Sequence, residues 1–470
     1  MTFDLKEIVN RYQGKQHQLF GNFINTQLAR VLKTIGFDKN YVKGEGVYLY
    51  DSNGDKYLDF LAGYGVFALG RNHPKIKDAI RQALDLDLPN MVQMDSPLLA
   101  GVLAEKLVNL IGGRVEMIFW TNSGTEANEG AIKFARKATQ KPRILFWDHA
   151  FHGLTTGSLA LNGNNEFKKG FGPLLPGATM IPFNDLTALN HELSKGDVAA
   201  FIFEPVQGKG VNIPDPNFYK EAERVCRKYG ALLIADEVQT GFGRTGKMFA
   251  HHHWEIEPDI VTVAKALSGG FVPIGAIAYS RNIYKKVFSN MEECVVHSNT
   301  FGRNTLAMAA GLATLDLIEE EGIVEHAASI GYKIRMGLTQ MANRFELIKA
   351  VRGEGLMIAI EFGSPKSLKL KASWMMLQAA KKGLFAQMVV IPLMKNYKIL
   401  TQVAGHNINV VKILPPLIIT DEHADYFLKS FEEVMIECHK MPGTAWKVGK
   451  DLAVAAMSSS KMPAYEPQGM

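Results

Sequence analysis

The fold is decided by the segment at residues 231–270, which reads ALLIADEVQTGFGRTGKMFAHHHWEIEPDIVTVAKALSGG. It contains two short apolar runs, Ala231–Ala235 and Ile260–Ala264, that are rich in β-forming residues and end in polar ones, as buried parallel strands do. Asp236 follows the first run and Lys265 follows the second. Ligands of an open α/β sheet bind beyond the carboxyl ends of its strands. We therefore expect these two side chains to face one small molecule.

Lys265 and Asp236 suggest the kind of molecule. A lysine that follows a buried strand is partly desolvated, and its neutral amine can form a Schiff base with an aldehyde. Pyridoxal phosphate supplies an aldehyde, and its ring nitrogen needs an anionic partner such as Asp236. Alone, such a lysine is more often a surface residue, and the acid can be a helix cap or a surface ion pair. The conjunction of both with Gln239 and the Gly269-Gly270 break favours the cofactor site.

The patterns IADEVQTGFGRTG and DIVTVAKALSGG resemble those of the class III pyridoxal-phosphate aminotransferases of fold type I. The resemblance extends from about Gly46 to about Thr420. It implies an α/β fold with a mostly parallel seven-stranded sheet in a large domain, together with a smaller α+β domain. The predicted parts are an N-terminal segment (1–95), which belongs to the small domain and the substrate entrance, a large cofactor domain (96–322), a small domain (323–442) and a mobile tail (443–470).

A phosphate site is predicted where a strand ends and TNSGTEANEGAIKFARKA, residues 121–138, opens a helix. Ser123, Gly124 and Thr125 would lie at the helix N-terminus, where free backbone N–H groups and the helix dipole attract phosphate. Alone, S-G-T-E is only a helix start with a capping residue and an early glutamate. Beside Lys265 it becomes the expected phosphate site, and the resemblance implies that Gly124 and Thr125 are ligands.

The resemblance implies further cofactor contacts. Phe151 would stack on the pyridine ring, and Gln239 would donate a hydrogen bond to its phenolic oxygen. Thr300 would reach the phosphate of a neighbouring subunit, which implies a homodimer with shared sites. His152 also belongs to the predicted cofactor pocket, either as a hydrogen-bonded structural histidine or as a proton shuttle. In the family, the glutamate at Glu204 gates an arginine that binds the substrate carboxylate.

The resemblance implies that Tyr64 and Phe67 line the substrate entrance, in a glycine-punctuated loop that needs positive φ angles. Most members of the family have an arginine three residues before paired prolines, where it binds the α-carboxylate of amino acids; this chain has Lys412 there. A guanidinium group binds carboxylate in a bidentate manner, whereas an amine is a point charge. We therefore expect a weakened preference for α-amino acids.

The segments GYGVFALG, AFHG, FGPLLPG and GRTGKMFA are similar to those of the putrescine and diamine branch. The expected donor is thus a terminal primary amine of a diamine or an ω-amino acid, and the expected acceptor is a keto acid, 2-oxoglutarate or pyruvate. Donors of the acetylornithine, ornithine or 4-aminobutyrate type are the alternative. The family's racemases, aminomutases and decarboxylases, and a non-catalytic partner protein, also remain open.

Composition narrows the remaining classes. The 470 residues suggest two domains, and the net charge of +5, with Lys and Arg scattered, argues against a nucleic-acid surface. Three distant cysteines suggest neither disulfides nor a zinc site, and they fit a reducing cytoplasm. Neither a signal peptide nor a membrane span is expected. The run His251–His253 is predicted to be exposed to solvent and not to bind metal, because adjacent side chains point in different directions.

Overall fold

The computed structural model describes residues 3–92, 94–405 and 407–440, together with Gly443, Trp446 and Gly449. The rest of the tail that was predicted to be mobile lies outside the described residues. The helices are α1 (Leu5–Tyr12), α2 (Gln16–Phe23), α3 (Thr26–Ile35), α4 (Ala62–Gly65), α5 (Pro74–Asp85), α6 (Leu98–Ile111), α7 (Gly124–Thr139), α8 (Thr156–Ala160), α9 (Asn165–Lys168), α10 (Leu186–Ser194), α11 (Phe218–Lys228), α12 (Arg281–Val287), α13 (Thr305–Glu320), α14 (Ile323–Ala342), α15 (Leu368–Ala380), α16 (Leu384–Tyr397) and α17 (Asp421–His439). The strands are β1 (Tyr41–Glu45), β2 (Tyr48–Asp51), β3 (Lys56–Asp59), β4 (Met117–Thr121), β5 (Arg143–Trp147), β6 (Ala178–Ile181), β7 (Val198–Phe203), β8 (Leu232–Asp236), β9 (Ile260–Val263), β10 (Gly275–Tyr279), β11 (Ile348–Glu354), β12 (Met357–Phe362), β13 (Ile399–Leu400), β14 (Gln402–Val403) and β15 (Val410–Ile413).

The largest sheet has seven strands in the order β4-β10-β9-β8-β7-β5-β6. Strands β5 to β9 pair in parallel, whereas β10 pairs antiparallel with both β4 and β9. Every residue of β7, β9 and β10 is buried, as expected for strands covered on both faces. The predicted mostly parallel seven-stranded sheet is thereby confirmed. The reversed direction of β10 was not predicted, because an apolar run carries no sign of its direction.

The carboxyl edge of this sheet places the predicted site. Strand β8 ends at Asp236, which pairs in register with Thr262 of β9. Lys265 begins a turn of 3₁₀-helix, Lys265–Ser268, just beyond β9. Gly269 and Gly270 follow in left-handed conformations, and a side chain at residue 270 would collide with the ring of Phe67. The glycine pair therefore lets the loop at residues 62–67 approach the lysine turn closely.

Two four-stranded sheets complete the fold, in the orders β1-β2-β3-β13 and β11-β12-β15-β14. The second is antiparallel, and it places Lys412 of β15 between Ala359 of β12 and Gln402 of β14. Strand β11 keeps its ladder with β12 as far as Glu354. The predicted domain boundaries at residues 95/96 and 322/323 stay predictions.

Within the described ranges, none of the helices combines the length and the apolar character that crossing a bilayer would require.

Two helical glycines offer a matched test of the packing. Gly331 of α14 lies against the backbone of Gly355, and an added methyl group would overlap the Gly355 carbonyl oxygen. We expect Gly331→Ala to lower the free energy of unfolding by about 1–3 kcal/mol through overpacking. Gly101 of α6 has no neighbouring atom within 4 Å of such a methyl group. Gly101→Ala should raise stability by up to about 1 kcal/mol. Denaturant unfolding measures the free energy of unfolding of both variants. The same change in Gly331→Ala and Gly101→Ala would contradict the close packing of Gly331 on Gly355.

Candidate active site

The carboxylate of Asp236 is buried at the end of β8 and held on both oxygens. Its Oδ1 accepts a hydrogen bond from the backbone N–H of Val238 at 3.1 Å. Its Oδ2 accepts from Nδ2 of Asn128 at 2.7 Å and lies 2.7 Å from Nδ1 of His152. His152 is itself buried, and its Nε2 has no hydrogen-bond partner among the described residues. These hydrogen bonds fix the Asp236 carboxylate in place near Lys265.

Asn128 and Thr262 were not identified from the sequence. The Thr262 hydroxyl donates to Oδ1 of Asn128 at 2.8 Å, which turns the amide nitrogen of Asn128 toward Asp236. The same nitrogen donates to the backbone oxygen of His152 at 2.7 Å. The one available sequence signal was a polar residue one helical turn after Gly124, on a helix face that is otherwise small and apolar. These two residues orient the Asp236 carboxylate.

Lys265 is enclosed by protein, with part of its surface still accessible. Its φ of 44° lies in the left-handed region, which lysine seldom adopts and which is characteristic of functional sites. Burial lowers the pKa of Lys265, whereas the carboxylates of Asp236 and Glu204 oppose that shift. The net effect raises the share of neutral amine, which is the form that reacts with an aldehyde.

The N-terminus of α7 has the features of a phosphate site. Ser123 caps the helix, its Oγ accepting from the backbone N–H of Glu126 at 3.3 Å. Within the described part of the chain, the N–H groups of Gly124 and Thr125 have no acceptor, so they and the helix dipole are available to an anion. The Thr125 hydroxyl lies 2.7 Å from Oγ1 of Thr155 and 2.6 Å from Oγ of Ser158, two residues that sequence reasoning missed.

Glu204 connects the predicted ring site to the loop after β7. Its Oε1 accepts from the backbone N–H of Phe151 at 2.9 Å, and its Oε2 accepts from that of Gly208 at 2.7 Å. Burial raises the pKa of Glu204. The structure therefore uses both oxygens of this carboxylate to position backbone on the two sides of the site.

Lys412 lies in the same cluster and is 4% exposed. Its amine donates to the carbonyl oxygen of Gly208 at 2.6 Å and to Oε1 of Gln239 at 3.2 Å. Gln239 in turn donates through Nε2 to the carbonyl oxygen of Tyr64 at 3.1 Å. Burial, with the positive charges of Lys265 and Arg244, lowers the pKa of Lys412 to about 7, while Glu204 opposes the shift.

Arg244 lies in the motif IADEVQTGFGRTG, and no role was predicted for it. It is fully buried, and its guanidinium donates to the backbone oxygens of Leu356 and Pro415. Burial lowers the pKa of Arg244 to about 9. Because Pro415 follows Lys412 by three residues, Arg244 links the loop after β8 to the end of β15.

The remaining predicted residues lie at the margin. Ala62, Tyr64 and neighbouring glycines have positive φ, which confirms the predicted backbone angles, although Ala62–Gly65 form the short helix α4; Tyr64 is 58% exposed. The Phe67 ring lies 4.1 Å from the guanidinium carbon of Arg71 and packs near Gly270. Thr300 is exposed, and the described residues of this chain give it no site contact. The structure thus gathers Asp236, His152, Glu204, Gln239, Lys265 and Lys412 but leaves Thr300 outside.

The prediction of a solvent-exposed histidine run was wrong. Residues Ala250–His253 form a turn of 3₁₀-helix that packs on the end of β8. His251 is buried, with Nδ1 2.9 Å from Oε1 of Glu237, and His252 and His253 are half-buried against backbone oxygens. Within the described residues, no cluster of three or more His, Cys, Asp or Glu side chains is arranged to hold a metal ion.

Comparison with known proteins decides the family. The family described as "Aminotransferase class-III" matches residues 34–435, which is most of the chain. The chain belongs to the class III aminotransferases. The acetylornithine aminotransferase of Caldanaerobacter subterraneus subsp. tengcongensis is 38% identical over 406 residues, covering 84% of this chain and 94% of that protein.

Two further relatives of this class III aminotransferase differ in name. Aminotransferase PigE of Serratia sp. (strain ATCC 39006) is 33% identical over 450 residues. That match covers 89% of this chain, but the chain spans about half of that protein, 53%. An amine transaminase from an uncultivated Pseudomonas species, solved in a form with bound pyridoxal phosphate, is 27% identical with a TM-score of 0.75. The match covers 86% of this chain and 96% of the amine transaminase.

The cofactor of this class III aminotransferase is pyridoxal 5′-phosphate. Its site fits that molecule on three independent features. The helix N-terminus with unused N–H groups suits the phosphate, the buried Asp236 carboxylate suits a protonated ring nitrogen, and the Lys265 amine suits the aldehyde. The glycine at position 124 is required, because a side chain there would approach Val238 to 2.7 Å.

Asn128→Ala tests the network around Asp236. The substitution removes two hydrogen bonds and leaves the Thr262 hydroxyl buried without its acceptor, so we expect a loss of about 1–3 kcal/mol in the free energy of unfolding. Cofactor should also dissociate faster, because Asp236 is no longer held. Asn190→Ala, at an exposed position of α10, is the matched control and should change neither quantity appreciably. If the two variants had the same free energy of unfolding and the same rate of cofactor release, Asn128 would not be the residue that holds Asp236.

Proposed function

We propose that this aminotransferase transfers the amino group of a terminal primary amine, from a diamine such as putrescine or from an ω-amino acid, to a keto acid, 2-oxoglutarate. The observation that carries the proposal is Lys412 in the place of the family's carboxylate-binding arginine. Its amine is buried and bonded to Gly208 and Gln239, which leaves no bidentate guanidinium for an α-carboxylate. The likeness to a solved structure described as an amine transaminase supports an amine donor.

The proposed roles of the residues follow from their positions. Bound pyridoxal phosphate supplies an aldehyde that condenses with amines and a ring that accepts the electron pair of a broken C–H bond. Lys265 holds the cofactor and then takes the α-proton of the donor and delivers it within the site. Asp236 holds the proton of the ring nitrogen, and His152 and Asn128 orient Asp236. Phe151, Gln239, Ser123, Gly124 and Thr125 bind the ring and the phosphate.

The alternative donor is of the acetylornithine or ornithine type, which the acetylornithine aminotransferase relative favours; a 4-aminobutyrate donor belongs to the same group. In that case Glu204 would act as the carboxylate gate that the resemblance implies. Racemases, aminomutases and decarboxylases of the family form a further class. Mixing enzyme and amine without a keto acid separates them, since only a transaminase halts after half a turnover.

A homodimer with shared sites is part of the proposal. Thr300 is exposed in this chain, as expected of a residue that serves a neighbouring subunit. Helices α1, α2 and α3 have no buried residue, and large apolar side chains such as Phe3, Phe23 and Ile24 are exposed, which supports a covering partner copy. Cys226, Cys294 and Cys438 carry free thiols, which supports a reducing compartment such as the cytoplasm.

Lys265→Ala tests the attachment of the cofactor. Purified wild-type protein should show a visible absorbance band, and borohydride reduction should add the cofactor mass to the peptide that contains Lys265. Both signals should be lost in Lys265→Ala and kept in Lys349→Ala, which changes an exposed lysine of β11. An unchanged spectrum in Lys265→Ala would assign the bond to another residue.

A donor screen tests the substrate. With putrescine and 2-oxoglutarate, the holoenzyme should form glutamate, since Lys412 does not demand an α-carboxylate on the donor. Glutamate formation is followed by a coupled dehydrogenase assay, with N-acetylornithine and 4-aminobutyrate as comparison donors. Absence of turnover with every diamine, together with efficient turnover of N-acetylornithine, would overturn the proposed donor class and support the alternative.

A further inference from the structure

The Lys412 amine lies in a setting that favours neither protonation state strongly. Its backbone is in the middle of the β12-β15-β14 sheet, so the side chain enters the site from a buried strand. Both of its hydrogen-bond acceptors, the Gly208 carbonyl oxygen and Oε1 of Gln239, are neutral. Neither acceptor requires a charged amine, because a neutral amine also has two N–H groups to donate.

Charged groups surround Lys412 on several elements. Lys265, after β9, and Arg244, after β8, repel a positive charge, whereas Glu204, after β7, attracts one. The backbone of Gly208 lies between Glu204 and Lys412. Its N–H donates a hydrogen bond to the Glu204 carboxylate, and its carbonyl oxygen accepts one from the Lys412 amine. The two carboxylate oxygens of Glu204 accept hydrogen bonds from the N–H groups of Phe151 and Gly208. Neither of these bonds involves the Lys412 amine, so they do not fix it in an ion pair with Glu204.

We propose that Lys412 is a specificity-determining residue whose protonation follows the charge of the substrate: it is neutral with the amine donor bound and protonated with a dicarboxylic keto acid bound. The inference rests on the proposed function and deepens it. An arginine keeps its charge in both half-reactions and therefore needs a carboxylate to move away when the substrate changes. A lysine can instead gain or lose one proton in place.

The proton balance gives the direction of the pH dependence. Below pH 7 the amine is already charged, and a dicarboxylate binds without proton exchange; above pH 7 it is neutral and must take a proton from solvent on binding. The apparent affinity for a dicarboxylate should fall about tenfold for each pH unit above that value. A diamine has the opposite dependence, since a charged Lys412 repels its far ammonium group at low pH.

Calorimetry of glutarate binding to the holoenzyme tests the inference. Glutarate carries two carboxylates but no keto group, so it binds without turnover. Titrations at pH 8 in two buffers of different ionisation enthalpy count the protons exchanged. We expect an uptake close to one proton per site in the wild type. Lys412→Arg should bind glutarate without uptake and with little pH dependence, and Lys412→Met should bind it at least about tenfold more weakly.

Two further variants make the outcome specific. Lys349→Arg, the same change at an exposed lysine, should keep the wild-type uptake. Glu204→Gln should keep it as well; if the uptake disappears there and persists in Lys412→Met, Glu204 is the proton acceptor and the inference is overturned. Absence of uptake or of glutarate binding in the wild type, or equal uptake in Lys412→Arg, would also overturn it. Because glutarate binding requires no turnover, failure of the donor screen leaves this result interpretable.

Discussion

The hydrogen-bonded carboxylate of Asp236 is the interaction on which the rest of the site depends. It stands where β8 ends, and its partners come from three other parts of the chain: Asn128 on α7, His152 after β5 and Val238 in the following loop. Taking a carboxylate out of water is costly unless such partners replace the lost hydration. The network therefore ties α7, the helix that begins at the predicted phosphate site, to the edge of the sheet where Lys265 lies.

A second cluster differs in character because it is rich in positive groups. Lys265 and Arg244 both lie near Lys412, and the carboxylate of Glu204 acts on both lysines. Burial favours the neutral amine at both lysines, and the like charges of Lys265 and Arg244 add to this effect at Lys412. The same environment would therefore serve the proposed imine chemistry of Lys265 and the proposed change of charge at Lys412.

Much of the fold could be predicted from the sequence because its strands are short, apolar and closed by polar residues. β8 and β9 lie within one residue of the predicted apolar runs, and Asp236 and Lys265 follow from the position of functional groups at strand ends. Asn128, Thr262 and the buried His251 could not be found in that way. Their roles depend on partners that are distant in the sequence. Asn128 is 108 positions away from its partner Asp236, and it is 134 positions away from its partner Thr262. Local pattern carries no information about such pairs.

The parallel pairing of β13 with β3 has a consequence for how the protein is made. Residues 56–59 acquire their last strand neighbour only from Ile399 and Leu400, and backbone bonds join Leu58 to Lys398 and Phe60 to Leu400. During synthesis, this edge of the β2–β3 hairpin therefore stays unpaired until the chain has been made as far as Leu400. Contacts of such sequence separation slow folding and expose strand edges to aggregation.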